Sequence, residues 1–310
     1  MNNTEEIKDD DFQIIGKQLE QMESISRPAL SYWEDAWRRI KKNRIAFFSL
    51  VLLGIYVLLA VFVPIFSPYD YAEQNSANLS AGISVQNWFG TDSLGRDLFV
   101  RVWMGARVSL TIGFFAALLN AVIGTLIGGI SGYSGGKADM IIMRLVEVLY
   151  GIPNLIVTIL VMLVIGRGVI SLVIAMTIVG WIGSCRFIRG EILRLKEQDF
   201  VLAGKVLGVP AIVIIVKHLI PNVLGLIITN LTSAIPGAIF GEAFLSFIGL
   251  GVAPPTASWG ILAKEGIKML RVAPTQLLIP AFFICTTVLA LNLLGDGLRD
   301  AFDPKLRGED

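Results

Sequence analysis

The sequence predicts an all-α membrane protein of six transmembrane helices, with an interfacial helix before the first and a short capped helix on the inner side. Three observations carry this prediction. Hydrophobic residues make up 54% of the chain and charged residues only 16%, whereas a soluble domain carries about 25% charged residues. The apolar residues gather in long uncharged runs, and a bilayer core about 30 Å thick is crossed by roughly 20 of them as a helix. Lys and Arg, finally, are spread unevenly over the loops.

Residues 1–30 are polar without a sustained period and read as a mobile cytoplasmic tail. In residues 31–44, Trp33, Trp37, Ile40 and Arg44 fall at i, i+4, i+7 and i+11 among basic residues. That stripe suits a helix lying at the membrane surface, with indoles at headgroup depth and cations near anionic lipid. The transmembrane domain then runs over 45–307, with spans at about 45–66, 108–130, 145–166, 168–185, 219–241 and 272–295. The fifth span is expected to kink near Pro236–Gly237, because proline removes a backbone bond. The uncharged segment after Glu242, rich in Gly and Pro, then reads as a loop or re-entrant piece.

With the N-terminus inside, the inner side holds 19 Lys and Arg and the outer side 7. By the positive-inside rule both termini are cytoplasmic. The first apolar run is too long for a signal peptide and lacks a small-residue cleavage site, so it is expected to persist as a helix. A net charge of +1 gives no reason to expect a nucleic-acid partner. Cys185 and Cys285 cannot build a disulfide framework, and the single histidine, His218, has no Cys or His nearby, so no metal site is expected.

Several residues invite a functional reading. The outer run Gly90–Asp97 is dense in turn formers, with Thr91 or Asp92 able to bond back to nearby amides. Gly124, Gly128 and Gly129 permit close helix approach. Glu242 is a carboxylate at bilayer depth, either lining a pathway or anchoring the Pro236–Gly237 kink. Asn230 and Thr232 are candidate pathway residues or polar helix–helix contacts. Arg144 and Glu147 are spaced for an ion pair. Lys137 and Lys205 each follow a glycine but sit in no phosphate-binding loop, so this chain is not expected to bind ATP.

The inner loop 191–222 is the most informative segment. Asp199 can cap a helix start, Gly208 suits the left-handed C′ position and Pro210 follows. The helix between them, Phe200–Leu207, is too short to be stable alone. Its small residues Ala203, Gly204 and Gly208 offer a shallow face for a partner. The run Asp199–Gly208 followed by His218-Leu219-Ile220-Pro221-Asn222 resembles the signature loop of ABC import permeases, written EAA, three residues, Gly, nine residues, I-x-L-P. Leu202, Gly204, His218 and Ile220 depart from it, the first and third resembling variants in the peptide branch. Phe89–Leu110, Glu242–Gly251 and Gly295–Pro304 likewise resemble the C-type subunit of dipeptide and oligopeptide permeases.

That resemblance implies a MetI-like type I importer permease fold, in a bacterial or archaeal cell membrane. It implies no cofactor in this chain, with ATP and Mg held by two partner ATP-binding subunits. It implies a paralogous B-type permease, an extracellular or periplasmic substrate-binding protein and a peptide substrate, with oligopeptides as the expected cargo. Coupling to the ATPase would fall to Asp199, Phe200, Ala203, Gly204, Gly208 and Pro221. Dipeptide, nickel and some sugar systems share this permease type. An ion-driven secondary transporter would leave the capped inner helix without a purpose, and no catalytic cluster supports a membrane enzyme.

Overall fold

The computed structural model describes residues 32–302, all of whose regular structure is helical. The expected tail at 1–30 and the last residues of the transmembrane domain lie outside the described residues. In order, the helices are α1 (Tyr32–Lys42), α2 (Arg44–Phe66), α3 (Leu98–Ser134), α4 (Gly136–Tyr150), α5 (Asn154–Ile165) and α6 (Val169–Leu195). Then come α7 (Asp199–Val206), α8 (Ala211–Asn222, with a wide π-type turn at Ile214–Leu219), α9 (Leu224–Ile248), α10 (Trp259–Lys268) and α11 (Thr275–Phe302).

Five of these, α2, α3, α6, α9 and α11, are long and apolar enough to cross a membrane. The predicted third span, 145–166, is instead two helices, α4 and α5, bent by 81°. Pro153 is the reason: it supplies no amide and its ring disfavours a helical residue before it. Counting the bent pair as one crossing restores six.

Other boundaries move as well. The second span begins at Leu98, not 108, because the Asp97 carboxylate caps it by accepting the Val100 amide at 2.9 Å. Its 37 residues reach about 55 Å, so it stands well clear of a bilayer core. The fourth span continues to Leu195, and the sixth runs over 275–302. The fifth span is α9, which starts at Leu224 and passes through Pro236 to Ile248 without ending there. Of the segment after Glu242, read as a loop or re-entrant piece, residues 243–248 continue α9 and residues 259–268 form α10, capped by Ser258.

Packing follows from small residues. α3 packs most extensively on α6, and a Cβ added at Gly124 would lie 2.7 Å from the Cys185 amide nitrogen. Only glycine lets the two backbones approach that closely. At one end of the bundle Ala36 and Ile40 of α1 pack on Ala301 and Phe302 of α11 and Ile228 of α9. Val201 of α7 joins Ile188 and Ile192 of α6 and Ile214 and Leu219 of α8 at the same end. At the other end, the loop over residues 67–97 packs against α10 and the start of α11. Both described chain ends therefore share one face, opposite the long loop.

The α1 stripe is corrected in detail. Its buried face is Ala36 and Ile40, while Trp33 and Trp37 are exposed. Arg44 belongs to α2, because Asn43 ends the first helix and caps the second through the Ile45 and Ala46 amides.

Candidate functional site

Two regions concentrate chemistry, one at each end. At the end shared by both described chain ends, α7 is held on three sides. Val201 is buried against α6 and α8, Lys205 lies 5.3 Å over the Tyr133 ring of α3, and the C-terminus is tightly closed. The Val209 amide donates to the Gly204 carbonyl and the Gly208 amide to the Lys205 carbonyl, the paired bonds of a Schellman ending. Gly208 has φ +71°, as its place in that motif requires.

Asp199, expected as the N-cap, is the first residue of the helix itself; Gln198 takes the cap position without a side-chain bond. The carboxylate still sits in the first turn, where negative charge suits the helix dipole. Gly204 is also repositioned: a Cβ there would meet Ile214 at 3.5 Å, so it faces this chain's own α8. The outward face is apolar instead, with Phe200, Leu202, Val206 and Leu207 exposed, Val206 at 86%. Ala203, Gly208 and Pro221 are exposed as well.

Below this loop, Arg189 of α6 forms a two-bond pair with Asp139 of α4 at 2.6 Å, and Ser131 of α3 donates to the same carboxylate. Three helices are thereby fastened where α7 rests. Arg144 and Glu147 do form an ion pair, at 3.2 Å and largely exposed.

The second region is buried and polar. Glu242 of α9 is fully buried; its carboxylate accepts hydrogen bonds from Ser109 of α3 at 2.7 Å and from Ser246 at 2.6 Å. Above it, Asp92 pairs with Arg96 at 2.6 Å and Arg101 at 3.2 Å, and Glu265 of α10 receives Arg96 at 3.2 Å and Arg101 at 3.0 Å. Asp92 also accepts the Leu94 and Arg96 amides, and Thr91 accepts the Ala81 amide. The turn formers of this loop thus bond back as their composition suggests.

The other pathway candidates have partners within the chain. Asn230 accepts from Ser184 of α6 at 2.9 Å, and Thr232 donates to the Ile228 carbonyl of its own helix. They do not gather with Glu242 into one site. Among the described residues no three His, Cys, Asp or Glu side chains could share a metal ion.

A family model described as binding-protein-dependent transport system inner membrane component matches residues 124–308. The oligopeptide transport system permease protein OppC of Bacillus subtilis is 47% identical, covering 92% of this chain and 93% of that protein. This chain belongs to the binding-protein-dependent transport system inner membrane components. As a member of that family it is a multi-pass membrane permease, and a second model, the N-terminal TM domain of oligopeptide transport permease C, matches residues 31–82. Similar to it too are the dipeptide transport system permease protein DppC of Bacillus subtilis, 45% identical over 97% of this chain and 95% of the relative. OppC of Haemophilus influenzae is 40% identical over 98% of each chain.

Proposed function

We propose that this permease forms half of the membrane path of an ATP-driven peptide importer. A paralogous permease chain would complete the path, two ATP-binding subunits would drive it, and an external binding protein would deliver the cargo. The observation that carries this reading is α7: a helix of 8 residues, fixed on its inner side by Val201 and Gly204 and presenting Phe200, Leu202, Val206 and Leu207 outward. So short a helix is not stable alone, and exposed apolar groups beyond the membrane spans mark a protein contact. In this reading Asp199 and Lys205 flank the contact, Ala203 lies within it, and Gly204, Gly208 and Pro221 shape the loop.

Peptide is the cargo class in this reading because the two Bacillus subtilis relatives, at 47% and 45% identity, are oligopeptide and dipeptide transport permeases. In this reading α7 and both termini face the cytoplasm, as the Lys and Arg distribution favours. Helix α1 lies on the inner leaflet, with Trp33 and Trp37 beside Arg38, Lys41 and Lys42; Lys41 stacks 5.1 Å over the Trp37 ring.

Purifying the tagged chain from its native membrane tests the proposal. The expected result is co-purification of a second permease and an ATPase, with peptides identified by mass spectrometry in the accompanying binding protein. Recovery without any ATPase would refute it. Orientation is checked separately in a background lacking Cys185 and Cys285. Val85→Cys, at a site 93% exposed, should label with an impermeant thiol reagent from outside, and Leu207→Cys, at a site 80% exposed, only after permeabilisation.

A further inference from the structure

We infer that Glu242 is a positioning residue that locks the first turn of α10 onto α3 and α9, so that the outer cap moves with those two helices. The argument begins with the free amides at the α10 start. A helix leaves its first amides without internal partners. Here the Trp259 amide donates to the Ser109 hydroxyl at 3.2 Å, and the Ile261 amide to the Ser258 hydroxyl at 3.3 Å. Ser258 donates onward to Ser246 at 3.3 Å. Ser109 and Ser246 then donate to the two carboxylate oxygens of Glu242.

Every bond in this chain runs from α10 toward Glu242. A carboxylate offers two acceptor oxygens and asks for no donor in return, which is what two inward-pointing hydroxyls require. No Lys or Arg among the described residues pairs with it, and the side chains that donate to it are these hydroxyls. Close backbone contact surrounds the relay. A Cβ on Gly260 would lie 2.6 Å from the Ala243 Cα of α9, and one on Gly105 would lie 3.1 Å from the Ser258 carbonyl carbon. The Trp259 indole, fully buried, donates to the Val102 carbonyl of α3 at 3.0 Å.

Glu265, further along α10, holds Arg96 and Arg101 of the outer loop and α3. The lock therefore fastens α10, α3, α9 and the loop over residues 67–97 into one body. α3 reaches the other end of the bundle, where Tyr133 meets Lys205 of α7. A displacement of the outer cap is thereby transmitted to α3, whose far end bears on α7. This transmission rests on the importer reading; the lock does not.

Glutamine is not a neutral replacement here. Its NH2 group would face either Ser109 or Ser246, and that hydroxyl would lose its acceptor. Glu242→Ala strands both hydroxyls. Hydrogen exchange of the purified complex should show the peptide covering residues 257–268 exchanging at least tenfold faster in Glu242→Ala. Glu242→Gln should fall between this and the wild type, and α6 should be unchanged in both. The Gln penalty should shrink in a Ser109→Ala background, where the stranded hydroxyl is absent; a merely structural role would not produce that rescue. Binding-protein-stimulated ATP hydrolysis should fall with basal hydrolysis retained. Unchanged exchange over 257–268 in Glu242→Gln, which keeps the side-chain volume if the Ala variant does not assemble, would overturn the lock. Faster exchange with full stimulation would overturn the transmission, and absence of hydrolysis in the wild type would count against the importer reading alone.

Discussion

The two ends of the molecule handle polar chemistry in opposite ways. At the α7 end the apolar side chains Leu202, Val206 and Leu207 face outward, and the charged pairs lie around them, partly open to solvent. At the α10 end the charged and hydroxyl groups are inside, with Arg101 and Glu242 at 1% and 0% exposure. An end that must be joined by another protein can leave apolar surface uncovered until that partner arrives. An end that must hold its own shape pairs its buried charges internally, because an unpaired one in a low-dielectric interior is costly. On the proposed function, the difference teaches that one end is built to be completed by a partner and the other to be rigid.

The largest expected effect lies at the end built for a partner. Val206→Glu puts a charge on the most exposed apolar position of α7. Peptide uptake should fall at least tenfold, equivalent to about 1.4 kcal/mol, while membrane insertion stays normal in a cell-fractionation assay. Wild-type uptake would break the comparison.

Next comes the rigid end. Arg101→Ala removes one partner of a buried pair and leaves Asp92 with Arg96 alone. Breaking such a pair costs about 3–5 kcal/mol, so thermal unfolding in detergent should shift clearly downward. Glu265→Gln should shift it less, because that carboxylate is more than a third exposed and screened by solvent.

A smaller effect is expected in α1. Replacing Arg38, Lys41 and Lys42 with Gln should weaken retention of phosphatidylglycerol over phosphatidylcholine, read by native mass spectrometry, with little change in assembly. The smallest belongs to the Arg144–Glu147 pair, exposed at 77% and 64%. Arg144→Gln should leave unfolding and uptake unchanged, since such surface pairs add little.

Much of the fold was legible because membrane spans are written in run length. All six apolar runs correspond to helices, and the misreadings sit where local chemistry overrides length. Pro153 breaks the third run into α4 and α5, whereas Pro236 is carried inside α9. The loop that carries α7 was legible for a related reason: Gly208 and Pro210 act within a few residues of the helix they end. Facing direction was not. Gly204 turns toward Ile214 because α8 folds back beneath α7, which no local pattern announces.

The relay around Glu242 was the least readable feature. Ser109 lies 133 residues from Glu242 and the Trp259 amide 150 residues from Ser109. Serine is common at helix contacts, so nothing marks Ser109, Ser246 and Ser258 until the chain brings them together. The intramembrane carboxylate was the one available signal, and it gave the position without its partners.

Cross-linking from single cysteines tests the central claim most directly. In the chain lacking Cys185 and Cys285, Val206→Cys is treated with a bifunctional reagent in native membranes, and Val85→Cys serves as its counterpart at the other end. The account predicts that Val206→Cys joins the chain to an ATP-binding subunit and that Val85→Cys does not. A Val206→Cys that links to no ATP-binding subunit, or a Val85→Cys that does, would contradict it.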